Sequence, residues 1–408
     1  MTRAPAGLMA RVIAYFSVRD FIPFYGVYAL LFADHGLSAS AISSLFIAWS
    51  VTSFVAEVPS GAWADTVSRR ALLVLSSVLY ALGFSLWIVV PSYPGFLAGF
   101  VLWGISSALM SGTFEALLYD ELAARQATDD YPRLMGWANS AAMVANLTAA
   151  ILAAPLLRLG GYALVGWVSV AVALVQGAFA LSLPPAPKSV ALAGDDEDEA
   201  GTAAAVTGYM AMLRAGVREA SLRPRVRNAV VIASFLLGAL AYDEYFPLVA
   251  REHGSATDQV PLLMAIVVAG QAVGTALAGR TARLRSRVLA SVLVAAAVLL
   301  GVGALRGGIL GWIAVGIGYG IVNDLIIVSE ARLQDQIEGR ARATVTSVSG
   351  FLSEVAAVAV FAGFALGSTW LSVTTMVVLL SIPLLLVAWL VPRWLPEPTQ
   401  RAPQAREP

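Results

Sequence analysis

Long apolar runs alternate with short polar breaks along the chain, and that rhythm sets the terms for any fold. A helix needs about 20 apolar residues to cross the hydrocarbon core of a bilayer. Runs of that length give twelve candidate spans: 10–32, 40–63, 71–90, 96–119, 135–157, 162–183, 228–249, 260–279, 288–305, 309–330, 344–366 and 371–391. They are continuous runs, without the ten-residue alternation of a strand barrel. Composition agrees: 59% of the 408 residues are hydrophobic and 13% charged, against about 45–50% and 25% in soluble domains. A soluble multidomain globule is therefore excluded. Net charge is zero and no basic block is present, so nucleic acid is not an expected partner. Cysteine is absent, which removes disulfide frameworks, thiolate metal sites and thiol nucleophiles. The expected fold is an all-α integral membrane protein embedded in the lipid bilayer.

The basic residues orient it. With both termini placed in the cytoplasm, 22 of the 26 basic residues fall in cytoplasmic segments, against three (Arg158, Arg251, Arg306) on the opposite side and Arg19 within a span. That alternation, loop by loop, is the pattern expected of a multi-pass protein with a positive inside. The apolar segment after Met9 is followed by Arg19-Asp20 and more apolar residues, so no cleavable signal peptide is expected.

One long break, 184–226, opens with Pro184-Pro185-Ala186-Pro187 and carries the acidic run Asp195-Asp196-Glu197-Asp198-Glu199. It reads as a cytoplasmic linker ending in a surface helix near 207–222, with Met210, Leu213 and Val217 on one side. It separates two six-helix halves, 1–183 and 227–392, followed by a tail, 393–408. A shift of 218 residues lays Asp34-His35-Gly36 on Glu252-His253-Gly254, and Gly61, Asp65 and Arg69 on Gly279, Arg283 and Arg287. One offset matching in two places suggests two pseudo-symmetric halves. His35 and His253 read as turn residues beside a helix-breaking glycine, with external pH sensing as the alternative.

Charges inside the spans cost about 2.5–3.5 kcal/mol each at mid-bilayer on insertion scales, so each needs a reason. Arg19 and Asp20 lie in span 1, Glu115 in span 4, Asp243 and Glu244 in span 7, Asp324 in span 10, Glu57 in span 2 and Glu354 in span 11. Spans 3, 6, 9 and 12 carry none. Spans 1, 4, 7 and 10 around a water-filled cavity would account for this, with the uncharged four facing lipid. A carboxyl group withheld from water exchanges its proton nearer neutral pH than a solvated one, so this set is a candidate for proton coupling, with Asp20 and Asp243 leading. Tyr15, Phe16, Tyr25, Tyr242, Tyr245 and Phe246 are candidate cavity aromatics for a lipophilic cation. The structural alternative is that Arg19 pairs with Asp20 or Glu115, and that most of the aromatics simply pack.

After span 2 the chain reads Gly61-Ala-Trp-Ala-Asp65-Thr-Val-Ser-Arg69-Arg70. This resembles the loop 2–3 signature of the major facilitator superfamily, Gly-x-x-x-Asp-(Arg/Lys)-x-Gly-(Arg/Lys)-(Arg/Lys). Thr66 and Ser68 depart from its basic residue and glycine. The resemblance implies a latch in which Asp65 docks at the start of helix 11, here Thr344–Ser347, with Arg342 or Arg133 joining the charge network. Glu57-Val-Pro59-Ser-Gly61 and Glu115-Ala-Leu-Leu-Tyr119-Asp120 look like segments of bacterial drug-efflux-like members. Span 5 lacks the Gly-Pro-x-x-Gly-Gly pattern of antiporters, and span 4 lacks the membrane arginine of many proton-coupled members.

What this implies is a monomeric, multi-pass transporter of the bacterial inner membrane. It would export amphipathic or cationic small molecules on the proton gradient, without cofactor or metal. The alternative is a symporter importing a nutrient or metabolite. A zinc-binding histidine pair, a Gly-x-Ser-x-Gly elbow and a Walker loop are all lacking, so an enzyme is not expected.

Overall fold

The structure is a computed structural model that describes residues 5–184, 223–337 and 341–398, together with 211, 214 and 218. Nearly all of the linker and its surface helix lie outside the described residues. Fourteen α-helices follow one another among the described residues, with no strand. They are α1 (Ala6–Asp20), α2 (Tyr28–Asp34), α3 (Ala39–Thr66), α4 (Arg69–Val89), α5 (Tyr93–Met110), α6 (Thr113–Ala124) and α7 (Tyr131–Ser182). Then come α8 (Pro224–Ala239), α9 (Phe246–Glu252), α10 (Val260–Thr281), α11 (Ser286–Arg306), α12 (Gly308–Gln336), α13 (Ala341–Gly367) and α14 (Val373–Trp394). Eleven helical segments among the described residues are long and apolar enough to cross a membrane. One of them, Thr128–Ser182, has 55 residues. At 1.5 Å per residue it would run to about 80 Å, well beyond a hydrocarbon core of ~30 Å. It breaks at Gly160 and Gly161, whose backbone angles are not helical.

Three of the expected spans are interrupted. Span 1 becomes α1, a 3-10 turn at Pro23–Gly26 and α2; span 7 becomes α8, a 3-10 turn at Leu240–Tyr245 and α9; span 4 breaks between α5 and α6 at Ser111-Gly112. Pro23 has no N–H to continue a helix, and Gly112 adopts a positive φ of 69° that side chains with a Cβ resist. The 218-residue offset relates α2 to α9 end for end, and the turns after them place Gly36 (φ 85°) and Gly254 (φ 80°) in the same left-handed conformation.

The chain forms two compact units. In the first (1–210, 244–265 and 361–370), α1 and α4 pack on α7, and α5 on α3 and α4. Its core beside α1 gathers Leu8, Val12, Tyr15 and Phe16 with Phe114, Leu117 and Leu118 of α6. In the second (211–243, 266–360 and 371–408), α11 packs on α12 and α14, and α8 on α12. There α10 and α12 meet backbone to backbone, since a Cβ on Gly270 or Gly274 would fall inside the carbonyls of Gly316 or Gly320. Small residues let membrane helices approach this closely. Gly274→Val should therefore cost about 1–3 kcal/mol and reduce the monodisperse fraction in size-exclusion chromatography. Gly279→Val, where a Cβ would meet nothing within 4 Å, should be tolerated; equal behaviour of the two would refute the close approach.

Candidate functional site: hydroxyl-held carboxylates at broken helices

Helix breaks leave backbone N–H and C=O groups without intrahelical partners, and the breaks in spans 1, 4 and 7 each carry a carboxylate. Asp20 ends α1 and is held by Arg19, whose Nε and Nη2 donate to one carboxylate oxygen at 3.2 and 2.8 Å. The Arg19 guanidinium also lies 4.3 Å above the Phe16 ring. Glu115 sits in the first turn of α6, where the helix dipole favours an anion. Its Oε2 is buried without a hydrogen-bond partner among the described residues. Asp243 and Glu244 occupy the turn between α8 and α9. Tyr319 donates to Asp243 at 2.5 Å, and Tyr28 donates to Glu244. Asp324, on the unbroken α12, accepts from Thr281 at 2.6 Å; beside it, Gln271 donates to Asn323 at 3.2 Å.

Two chemical types emerge. Asp20 is neutralised by a fixed cation. Asp243, Glu244 and Asp324 each accept from a neutral hydroxyl, which can donate to a carboxylate and equally accept from the protonated acid. Such an arrangement suits a group that gains and loses a proton.

The candidate aromatics are packed. Tyr15 stacks on Phe114 with ring centroids 4.9 Å apart and accepts from Gln176 at 3.2 Å, while Phe16 meets Phe114 edge-on at 4.8 Å. Tyr245 stacks on Phe364 at 3.6 Å and shares a 2.6 Å hydrogen bond with Ser43. Tyr15, Phe16, Tyr242, Tyr245 and Phe246 are all fully buried. Tyr25 is the partly accessible one; it bonds Tyr80 through the hydroxyls and stacks on Trp103 at 5.5 Å. The cation seated on Phe16 is the protein's own Arg19.

Helix α3 continues to Thr66, so Gly61 and Asp65 are helical and the break is confined to Val67-Ser68. The Asp65 side chain lies outside the described residues. Arg69 pairs with Asp120 of α6, Arg125 with Glu121, and Arg70 Nη1 lies 3.5 Å from the Leu183 carbonyl. Asp120 was legible only as part of the Glu115–Asp120 segment, and its pairing with Arg69 was not. Glu57, placed among the deep acids by sequence, is exposed, and Glu354 is partly buried.

A second cluster escaped the sequence. Asp34, ending α2, accepts from Arg251 of α9 with both oxygens, one at 3.1 Å, and from the Tyr162 hydroxyl at 2.6 Å. Arg251 also donates to Thr257 at 3.3 Å. Nearby in sequence, Arg158 donates to Asp258 at 2.5 Å, and this bond holds the Asp258 carboxyl below its ordinary range. A depressed carboxyl keeps its pair as pH falls until that lowered value is passed, so this link is insensitive to pH near neutrality. The available signal was the orientation itself: two of the three basic residues on the sparsely basic side, Arg158 and Arg251, are the two in ion pairs.

The comparisons with known proteins bear on the whole of this arrangement. The family model described as Major Facilitator Superfamily matches residues 8–360. The chain belongs to the Major Facilitator Superfamily. Transport proteins of solved structure share its fold at low identity. The nucleoside transporter NupG aligns with a TM-score of 0.69 at 14% identity, covering 94% of this chain and 96% of that one. A D-xylose-proton symporter aligns at 0.67 and 16%, covering 96% and 98%. A bacterial homologue of the human lysosomal transporter Spinster, in an inward-facing and occupied conformation, aligns at 0.68 and 14%, covering 97% and 99%. No curated protein matches by sequence. Family and neighbours together identify a multi-span membrane transporter of small molecules, not an enzyme.

Proposed function

We propose that this major facilitator protein is a proton-coupled secondary transporter working by alternating access, and that it exports amphipathic or cationic small molecules. It would cross the membrane twelve times, with Thr128–Ser182 supplying two crossings across its Gly160-Gly161 break, in two six-helix halves with both termini cytoplasmic. A bacterial inner-membrane location and a monomeric state complete the reading.

The observation that carries the proposal is the pairing of interior carboxylates with neutral hydroxyls. Among the described residues, Glu244 and Asp324 have no cation within ion-pair distance, and their partners are Tyr28 and Thr281. Asp243 accepts from Tyr319. Acids held this way can exchange protons during a cycle, and in their charged form they attract organic cations. Asp20 is a poorer coupling group than its depth in span 1 suggested, because two N–H groups of Arg19 already occupy one of its carboxylate oxygens. The same pairing weakens the case for an imported anion, which would need Arg19 unoccupied.

A susceptibility panel tests direction and substrate class. Cells overexpressing the protein should tolerate lipophilic cations better than deletion cells, with neutral and anionic compounds unaffected. Equal tolerance, with faster uptake of a nutrient in overexpressing cells, would instead support import.

A further inference from the structure

We propose that Glu244 is the proton-binding group that governs closure between α2 and α9, with Tyr28 as its positioning residue. The proposal rests on the transporter reading above and assigns one part of it.

The two helices are seven residues each, about 10 Å long, and lie in contact within the first unit. They are joined at both ends. At one end the hydroxyl of Tyr28, the first residue of α2, donates to Glu244, two residues before α9. At the other end Asp34, the last residue of α2, takes the Arg251 guanidinium and the Tyr162 hydroxyl. Between them, Tyr245 is fixed to Ser43 of α3 and stacked on Phe364 of α13. On the orientation set by the basic residues, the Asp34–Arg251 end faces outward.

The chemistry at the inner end decides which protonation state closes the clasp. Tyr28 is buried, and its ring is edged by Phe32, Phe46, Trp87, Phe100 and Trp103 at 5.6 to 6.1 Å. A carboxylate closed against that shell exchanges its hydration for one hydroxyl, whereas a carboxylic acid gives up far less. Closure therefore selects the protonated acid, and loss of the proton favours parting of α2 and α9. The other titratable and charged groups facing Glu244 are Tyr25 and Tyr28 from the first span, and Asp243 and Tyr245 beside it in the chain; from α1, Arg19 and Asp20 act on Tyr25. The outer end adds Asp34, Arg251, Tyr162, Arg158 and Asp258.

The chain has no cysteine and only two histidines, which suits it to site-directed labelling. Spin labels at His35→Cys and His253→Cys, just beyond α2 and α9, report their separation and also remove both histidines as titrating groups. In proteoliposomes the short-distance population should fall as pH rises from about 5 to about 8, the closed-to-open ratio changing by up to about tenfold per pH unit. Adding Glu244→Gln should hold the labels at the short distance throughout. Should that variant fold poorly, Arg251→Ala serves instead: it should lower the closed fraction at every pH and move the midpoint to lower pH, while the change per pH unit stays the same. Labels that ignore pH, a Glu244→Gln protein that still responds, or an Arg251→Ala protein with an unmoved midpoint would each overturn the assignment. Ethidium flux under a pH gradient, measured in parallel, separates this from the broader reading. Gradient-driven flux without a label response removes Glu244 alone. A label response locked by Glu244→Gln, with flux indifferent to the gradient, supports the clasp and removes proton coupling of transport.

Discussion

Purified Arg332→Leu protein should unfold roughly 10 °C below the parent, a loss of about 3–5 kcal/mol. Arg332 is buried near the end of α12 and acts as a four-way donor. Its Nη1 reaches the Ser286 hydroxyl and the Pro396 carbonyl at 2.9 Å each; its Nη2 reaches the carbonyls of Ala282, at 3.3 Å, and Leu284. Ser286 in turn donates its N–H to the Glu397 carboxylate and its hydroxyl to the Leu395 carbonyl at 3.1 Å. One guanidinium thus ties the α10–α11 turn to the chain leaving α14. Leucine would fill much of the volume while stranding buried acceptors, and each stranded group costs about 1–3 kcal/mol. Arg332→Lys retains the charge but not the planar fork, so its melting temperature should fall between the two. A leucine variant as stable as the parent would show that the network contributes nothing.

The second large effect concerns coupling. In proteoliposomes, Asp243→Asn should lose concentrative transport by tenfold or more, about 1.4 kcal/mol or greater in coupling free energy, while substrate exchange between equal concentrations continues. Asparagine still accepts from Tyr319 but cannot carry the proton. Tyr319→Phe leaves the carboxyl in place without its 2.5 Å donor, so it should move the pH dependence of transport without abolishing coupling. Loss of exchange and accumulation together in Asp243→Asn would mark a structural role instead.

The sequence carried the membrane class, the positions of nearly every helix and the placement of the acids, because hydropathy and charge are one-dimensional properties of a chain in lipid. It did not carry the helix breaks, since the acids of a 3-10 turn such as Leu240–Tyr245 read as charges within a continuous span and not as an interruption; only Pro23 and Gly112 left a mark. Partners were the least visible. Glu244 meets Tyr28 across 216 residues and Asp34 meets Arg251 across 217, and no local pattern ties them. The 218-residue offset aligned the right segments, yet as repeats and not as neighbours. The aromatics show the opposite case: their position beside the acids suggested a binding wall, whereas tight ring packing at Tyr15, Phe16 and Tyr245 makes them core.

The central claim, that protons drive this transporter, has a direct test. Purified protein in liposomes, loaded with ethidium and given an imposed pH gradient, should move the dye against its concentration gradient. A protonophore should stop that movement, and Asp243→Asn or Glu244→Gln should not support it. Ethidium movement of equal rate with and without the pH gradient would contradict the account.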